Sequence, residues 1–591
     1  MSSPLLAVAG GQAEDASVIH SPAGKRPRSN DTLQNGERKR RNQDLDARHL
    51  AQTPPPNFDT DDLLPPSWYP NPHHGTPNNT PTAAANNIIP DYLRLILTAS
   101  VYDVAIESPL QEAHNLSARL HNTILLKRED MQPVFSFKLR GAYNRMQQLT
   151  PTERTKGVIA CSAGNHAQGV ALSAQKMGIK ATIVMPIMTP PIKWRNVKRL
   201  GAEVVLFGSD FDEAKAECAR LEKEHGYINI PPYDDPYVIA GQGTVAVETL
   251  RQHSGKIDAI FVCVGGGGLA AGVASYVKRL HPHIKVIGVE THDADAMTQS
   301  LKTGTRVVLP TVGLFADGAA VRNVGEESFR VCKELLDGMI LVSTDEICAA
   351  IKDAFEDTRS IVEPAGALGI AGAKKYAQVF GTRGETYVAV TSGANMNFDR
   401  LRFVAERAEL GESKEALITA VIPEKPGSFM DLYKTIYPRS VSEFAYRYSD
   451  PEEAHIFMSF MVTDRAEELK KVIAACSAKG FTVRDASGNE LAKSHARYLV
   501  GGKGKVKDER LFRFEFPERP GALNHFLTSL KNPKWNVSLF HYRNYGGDVS
   551  KVLVGVQVPE ETGEEFDRFL NELNFPFVEE TANQVYTQFL R

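Results

Sequence analysis

The sequence predicts an α/β protein built on an open, mostly parallel sheet, followed by a tandem repeat of a smaller βαββαβ unit. Three observations carry this reading. Short apolar strands alternate with helical stretches through roughly 300 residues, the pattern of strands joined by helical crossovers. Three strand ends open onto glycine-bearing turns with polar side chains, Ser162 to His166, Gly265 to Gly268 and Thr391 to Asn395. Beyond Glu415, Pro423-Glu424-Lys425-Pro426-Gly427 recurs as Pro517-Glu518-Arg519-Pro520-Gly521. Val441-Ser442-x-Phe444-x-Tyr446-Arg447 recurs as Val537-Ser538-x-Phe540-x-Tyr542-Arg543, so the unit is present twice.

Composition bounds the class. The 591 residues leave room for about four units of ~150 residues. A hydrophobic fraction of 42% with 24% charged residues is that of a soluble globular protein. A net charge of −3 gives no argument for nucleic acid or an anionic membrane surface as partner. No stretch approaches the apolar length that spans a bilayer. The cysteines Cys161, Cys218, Cys263, Cys332, Cys348 and Cys476 are scattered, with no CxxC pair. That spacing fits reduced thiols in a reducing compartment and argues against a disulfide framework or a zinc site.

Residues 1–88 are expected to be a disordered tail, because their Ser, Asn, Pro and Ala cannot bury enough apolar surface to offset ordering entropy. Two basic clusters, Lys25 to Arg28 and Arg38 to Arg41, read equally as a nuclear-type address, a nucleic-acid patch or tail charge. Glu14, Asp15 and Asp31 count against a transit peptide, which is poor in acids. The first folded unit is expected over 89–405, opened by a helix containing Tyr92, Leu93, Leu95, Ile96 and Leu97. Strands are expected at 124–126, 158–161, 181–185, 204–207, 259–264, 286–289, 339–342 and 387–390, with helices such as 165–176, 210–224 and 269–280 between them. The two repeat copies are expected over 415–490 and 508–588.

The chemistry centres on Ser136 to Ala142. Lys138 lies between Phe137 and Leu139 in what reads as the first turn of a helix, with Ser136 as its N-cap. Partial desolvation there lowers a lysine's pKa and makes its amine a nucleophile or base. Alone, such a lysine reads better as a solvated surface residue; the remaining motifs lift it. Four consecutive glycines, Gly265 to Gly268, let a ligand approach the backbone and point helix N-terminal N–H groups at it, which makes a phosphate site. Gly265, Gly267 and Ala270 also fit a dinucleotide fingerprint, with Glu290 about where a ribose-binding acid would stand, so an NAD-dependent dehydrogenase is the rival. That rival leaves Lys138 and the Ser162-to-His166 turn without a role. A phosphate site, a lysine, an Asn-bearing loop and a hydroxyl at a further strand end together describe pyridoxal phosphate better.

Lys127-Arg128-Glu129-Asp130, Gln132-Pro133 and Ser136 to Ala142 resemble the lysine segment of the threonine dehydratases, pyridoxal-phosphate enzymes of the tryptophan-synthase-β fold type (fold type II). Ser162 to Gly169, Gly265 to Leu269 and Ser392 to Asn395 resemble that family's further motifs in the same order. The resemblance implies that Lys138 bonds the cofactor and serves as catalytic base, with Phe137 against the ring. It implies that Gly265, Gly266, Gly267, Gly268 and Leu269 hold the phosphate, Asn165 the ring 3′-oxygen, and Ser392 the pyridine nitrogen. Ser162, Gly164 and His166 would shape the substrate-carboxylate loop, though packing alone is a substantial rival role for His166. The implied reaction is deamination of L-threonine to 2-oxobutanoate and ammonia, the first step of isoleucine biosynthesis. L-Serine stays open as substrate, since one methyl is worth only ~1–3 kcal/mol in an apolar pocket. A related serine/threonine dehydratase, a racemase of the same fold type and a non-catalytic amino-acid sensor also stay open.

The C-terminal copies resemble the ACT-like regulatory region of the biosynthetic members, which implies isoleucine as inhibitor and valine opposing it. The expected effector pockets lie near the P-E-K/R-P-G turns and Phe444, Tyr446, Arg447, Phe540, Tyr542 and Arg543; a plain dimer interface is the rival reading. The family further implies a homotetramer and a mitochondrial location, with the cytoplasm as second choice. Some relatives carry a metal near the acid corresponding to Glu290; Ala294 and Ala296 follow here, so no metal is expected.

Overall fold

The computed structural model describes residues 67–76, 89–425, 428–446, 450–498, 506–517, 525–526, 529–530, 532, 534–542 and 549–591. The strands before residue 391 are β1 (Trp68–Pro70), β2 (Leu110–Glu112), β3 (Thr123–Lys127), β4 (Val158–Cys161), β5 (Ala181–Met185), β6 (Glu203–Leu206), β7 (Ile228–Asn229), β8 (Ala259–Cys263), β9 (Lys285–Thr291), β10 (Gly338–Val342) and β11 (Thr386–Val390).

They form two sheets where one was expected. The larger runs β1-β10-β9-β8-β11-β3-β2, the smaller β6-β5-β4-β7. Alternation of strand and helix predicts each element but not its neighbours. The large sheet is closed by a pairing that is remote in sequence, Thr123–Lys127 parallel to Thr386–Val390, so the four strands between Val158 and Asn229 stand apart as their own sheet. The central strands read as continuous apolar runs, Ala259 to Val262 for example, because helices cover both faces. The Lys138–Gln147 helix sits at the junction. Its Leu139, Ala142, Tyr143 and Met146 pack into the small sheet's core with Val158, Ala160, Val170 and Ile183.

The expectation of a disordered tail to residue 88 is corrected at its far end. Trp68–Pro70 adds an antiparallel edge strand to β10. The Trp68 ring stands edge-on to Tyr376 and Phe380, 5.7 and 5.6 Å away. The buried Asn71 amide donates to the carbonyls of Cys332, Lys333 and Leu336, capping the end of the Glu326–Leu335 helix. One aromatic and one amide tie down a segment whose average composition gives no sign of order. Both basic clusters lie outside the described residues.

The repeat is visible in the backbone. The first copy runs β12 (Glu415–Pro423), helix Ser428–Ile436, β13 (Val441–Tyr446), β14 (Glu453–Met461), helix Arg465–Ser477 and β15 (Thr482–Asp485). The second repeats it with β16 (Glu509–Pro517), β17 (Asn536–Tyr542), β18 (Val549–Gln557), helix Gly563–Leu573 and β19 (Phe577–Glu579). Sheet orders match, β13-β14-β12-β15 and β17-β18-β16-β19. So do irregularities: the register shifts between Val441 and Glu443 and again between Val537 and Leu539. In each copy the serine at that bulge donates to the glutamate that opens the first strand, Ser442 to Glu415 and Ser538 to Glu509.

Replacing Trp68 with alanine removes the aromatic contact of the edge strand and is expected to cost about 2–3 kcal/mol, read as a lower thermal midpoint. An unchanged midpoint would show that this strand adds nothing to the fold.

Candidate active site

The lysine segment and the third glycine turn are joined through their backbones. Ser136 bridges Gly393, Phe137 N–H donates to Ser392 O at 3.3 Å, and Ala394 N–H donates to Phe135 O at 2.9 Å. The expected N-cap is corrected here. Phe137 is the cap, with helical backbone, while Ser136 Oγ accepts the Lys138 N–H at 3.3 Å. The tight bridge to Gly393 fixes Ser136 one residue too early to serve as the cap.

Lys138 Nζ points into the space between the sheets. It donates to Pro232 O at 2.8 Å and lies 5.4 and 5.9 Å from the ring centroids of Phe137 and Tyr233. Burial pushes its amine down to about 8, against the opposing pull of Cys263 and Glu363. Its helix is held from behind by a fully buried charge cluster. Arg140 donates to both oxygens of Glu129 at 2.8 Å and to Glu248 at 2.6 and 3.0 Å. Lys127 Nζ from β3 donates to Glu248 at 2.6 Å. All four side chains are inaccessible to solvent.

The tetraglycine turn faces the same space. Gly267 has φ +95°, and a Cβ on Gly266 would stand 2.2 Å from the Tyr233 ring. Tyr233 thus closes one side of the turn and forbids any side chain there. The N–H groups of Gly266, Gly267, Gly268 and Leu269 find no acceptor among the described residues, and they open the thirteen-residue Gly268–Leu280 helix. Four free amides at a helix N-terminus form a cradle for an anion.

The Asn-bearing loop lies opposite. Ser162 Oγ accepts the Gly164 N–H at 3.3 Å. Asn165 Nδ2 donates to Glu363 Oε1 at 2.6 Å, and Asn395 Nδ2 donates to Asn165 Oδ1 at 2.7 Å. Burial, aided by Asp317, pushes the Glu363 carboxyl up to about 7. His166 is buried with Nε2 at 2.7 Å from Ile230 O, and burial first, then Lys138, drives it down to about 3. A ring so held is neutral and donates through Nε2. That contact seats the loop on Ile230, in keeping with the loop-shaping role expected of it. Ser392 Oγ donates to Ala365 O at 3.2 Å, beside the Cys263 thiol.

Glu290 has another task than either expectation gave it. Its carboxyl accepts the N–H groups of Met297 and Thr298 at 2.9 Å and the Thr298 hydroxyl at 2.7 Å, so it is consumed in holding the start of the Ala296–Thr303 helix. The dehydrogenase reading thereby loses its ribose acid. Among the described residues no group of His, Cys, Asp and Glu is placed to hold a metal ion. Phe444 and Phe540 stand half-exposed at equivalent places, packing 5.7 Å from Phe429 and 6.3 Å from Phe526. The Tyr446 and Tyr542 side chains, all of Arg447 and Arg543, Pro426, Gly427 and Glu518 to Gly521 lie outside the described residues.

The residues gathered here fit one cofactor class: an aldehyde-bearing ring with a phosphate. A desolvated lysine suits the aldehyde, four free amides the phosphate, and an asparagine and a serine the ring's polar atoms. The fold and the site define a pyridoxal-phosphate enzyme, and residues 101–393 match the family model described as pyridoxal-phosphate dependent enzyme. Residues 406–496 and 500–590 each match the C-terminal regulatory domain of threonine dehydratase. The chain is 57% identical over 517 residues to a mitochondrial threonine dehydratase of Saccharomyces cerevisiae, covering 85% of this chain and 89% of that one. It is 57% identical over 504 residues to the L-threonine dehydratase biosynthetic IlvA of Burkholderia multivorans, covering 85% and 99%. A solved structure of the processed form of threonine deaminase isoform 2 from Solanum lycopersicum aligns with TM-score 0.55 at 50% identity, covering 58% of this chain and 98% of that one. This chain belongs to the biosynthetic threonine dehydratase family.

Glu363, Asn395 and Tyr233 are site residues that the sequence reading did not single out. Glu363 precedes the Pro364–Phe380 helix, where an acid before a proline reads as ordinary helix-start chemistry. Substituting Glu248 by glutamine leaves Arg140 and Lys127 short of a buried counter-charge. It is expected to cost about 3–5 kcal/mol of stability, measured by denaturant unfolding. A cost below about 1 kcal/mol would show that the cluster does not hold the lysine helix.

Proposed function

We propose that this chain is a pyridoxal-phosphate-dependent ammonia-lyase that converts L-threonine to 2-oxobutanoate and ammonia, the first step of isoleucine biosynthesis, under allosteric feedback control. The observation that carries the reading is Lys138, desolvated and set beside the same Tyr233 ring that packs on the tetraglycine turn. Its location is mitochondrial, as the names of the Saccharomyces cerevisiae and Schizosaccharomyces pombe relatives print at 57% and 56% identity.

When bound, the cofactor supplies an electron sink for the charge that develops at the substrate's α-carbon. The protein's residues do the rest. Lys138 would hold the cofactor's aldehyde carbon and, once the substrate's amine has displaced it there, its freed Nζ would take the proton from the substrate's α-carbon. A lysine at its ordinary pKa would be protonated and unable to do so near neutral pH; burial in the cleft brings this one into range. Gly265 to Leu269 would hold the phosphate through backbone N–H groups. The start of the Asn165–Met177 helix, with Ser162 and Gly164, receives the substrate carboxylate. His166 keeps that loop seated on Ile230. Asn165, itself fixed by Glu363 and Asn395, would orient the ring oxygen. Ser392 would offer the ring nitrogen a neutral hydroxyl, where an acid would hold that nitrogen protonated and draw charge further into the ring. The weaker pull favours prompt loss of the β-hydroxyl over transamination. Water lost from Cα–Cβ is regained as the amino group leaves as ammonia.

The two C-terminal copies bind an amino-acid effector. The finer reading is that isoleucine inhibits and valine opposes it, on a homotetramer, with pockets near Phe444, Tyr446, Arg447, Phe540, Tyr542 and Arg543.

Lys138→Ala is expected to abolish release of 2-oxobutanoate while keeping the wild-type melting midpoint; turnover at the parental rate would remove Lys138 from the mechanism. Ser392→Ala is expected to retain cofactor and slow elimination about 10- to 100-fold, and an unchanged rate would make that turn purely structural. Isoleucine at millimolar concentration is expected to inhibit the wild-type chain, with valine relieving it. Full activity in its presence would leave the repeat as scaffold.

A further inference from the structure

Lys193 stands in the first turn of the Pro191–Arg199 helix, on the small-sheet side of the cleft, and its Nζ donates to Asp317 Oδ2 at 2.8 Å. Asp317 belongs to the large-sheet side, where it opens the single turn Asp317–Ala319. That turn borders the site. A Cβ on Gly318 would lie 3.5 Å from Glu363 Oε1 and 3.8 Å from Asn165 Nδ2, and one on Gly265 would lie 3.1 Å from Ala319 Cα. The pair therefore spans the two sheets at the edge of the site.

The same turn is held from behind by the helix Arg400–Gly411. Arg400 Nη1 lies 3.6 Å from Asp317 Oδ1 and donates to Phe315 O at 3.1 Å, while the Phe403 and Phe315 rings pack 5.2 Å apart. Two helical turns further on, on the same face, Arg407 reaches the C-terminal region. It donates to Glu490 at 2.6 and 3.1 Å, to Ser494 at 2.9 Å and to Asp345 at 2.9 Å. Glu490 also accepts Lys551 of the second copy at 2.6 Å. One short helix thus carries the cleft-side turn at one end and both copies at the other.

We propose that Lys193 and Asp317 form a clasp that holds the cleft closed on the substrate, and that the Arg400–Gly411 helix couples this clasp to effector binding in the C-terminal copies. The coupling half rests on the feedback-controlled reading above. A partly exposed lysine–carboxylate pair is weak enough to open and close reversibly. Substrate favours the closed state and inhibitor the open one, so a weakened clasp must act on both ligands in opposite senses. Lys193 is a positioning residue in this scheme and touches no reacting atom.

The test is Lys193→Met in the full-length, cofactor-loaded enzyme, with KM and kcat for L-threonine, the half-inhibiting isoleucine concentration and the thermal midpoint all measured. KM is expected to rise and the half-inhibiting concentration to fall, each by roughly fivefold, with kcat at saturation and the midpoint nearly unchanged. Lys193→Arg is expected to restore both values. If the methionine variant loses its midpoint, the isosteric Asp317→Asn is expected to give the same paired shifts. Unchanged KM and unchanged inhibition in a normally folded variant would overturn the clasp. A raised KM with unaltered isoleucine response would overturn the coupling. A wild-type enzyme that ignores isoleucine contradicts the parent reading instead, and the KM shift then still decides the clasp.

Discussion

Four buried charges, Lys127, Glu129, Arg140 and Glu248, are the constraint on which the site depends. They sit on β3, the turn after it, the Lys138–Gln147 helix and the Pro236–Gln252 helix. Two positive and two negative groups without solvent are tolerable only because the carboxylate oxygens are matched by guanidinium, ammonium or hydroxyl donors. Such a cluster adds little net stability compared with an apolar replacement, yet it permits one arrangement of its four elements. Lys138 is two residues from Arg140, so the register that satisfies the guanidinium also aims the amine at the cleft.

Around that anchor the catalytic part is an exercise in placing backbone where side chains would intrude. The tetraglycine turn keeps its amides free because Tyr233 occupies the space a Cβ would need. The third turn does the reverse, spending its backbone on Phe135, Phe137 and Glu363 while the Ser392 hydroxyl rests on Ala365 O. Burial then sets the electrostatics. The same desolvation that lowers Lys138 raises Glu363, and both move toward the neutral range where proton transfer is cheap. The catalytic part and the first C-terminal copy meet at Arg407, a buried guanidinium answered by Asp345 and Glu490.

Much of this is legible in the sequence alone. The seven strands expected between 158 and 390 all form within a residue or two of their expected bounds, because apolar runs punctuated by glycine turns are local signals. The motif residues Lys138, Asn165, Gly265 to Leu269 and Ser392 do converge, and the repeat reappears down to its paired bulges at Ser442 and Ser538. What stays hidden is non-local. The split into two sheets follows from β3 pairing β11 across more than half of the catalytic part. The edge strand at Trp68 is held by Tyr376, Phe380 and three carbonyls near residue 334, none of which its own composition reveals. Glu363 and Asp317 acquire meaning only from partners almost two hundred and over a hundred residues away. The seat of His166 is likewise set by the distant Ile230 carbonyl, which its motif does not reveal.

The proposed chemistry turns on Lys138 as the residue that bonds the cofactor, and one measurement addresses that directly. The full chain is loaded with pyridoxal phosphate, reduced with borohydride, digested and read by peptide mass spectrometry. A single phosphopyridoxyl adduct on the peptide carrying Lys138 is the predicted result. An enzyme that takes up no cofactor, or an adduct confined to another lysine, would contradict it.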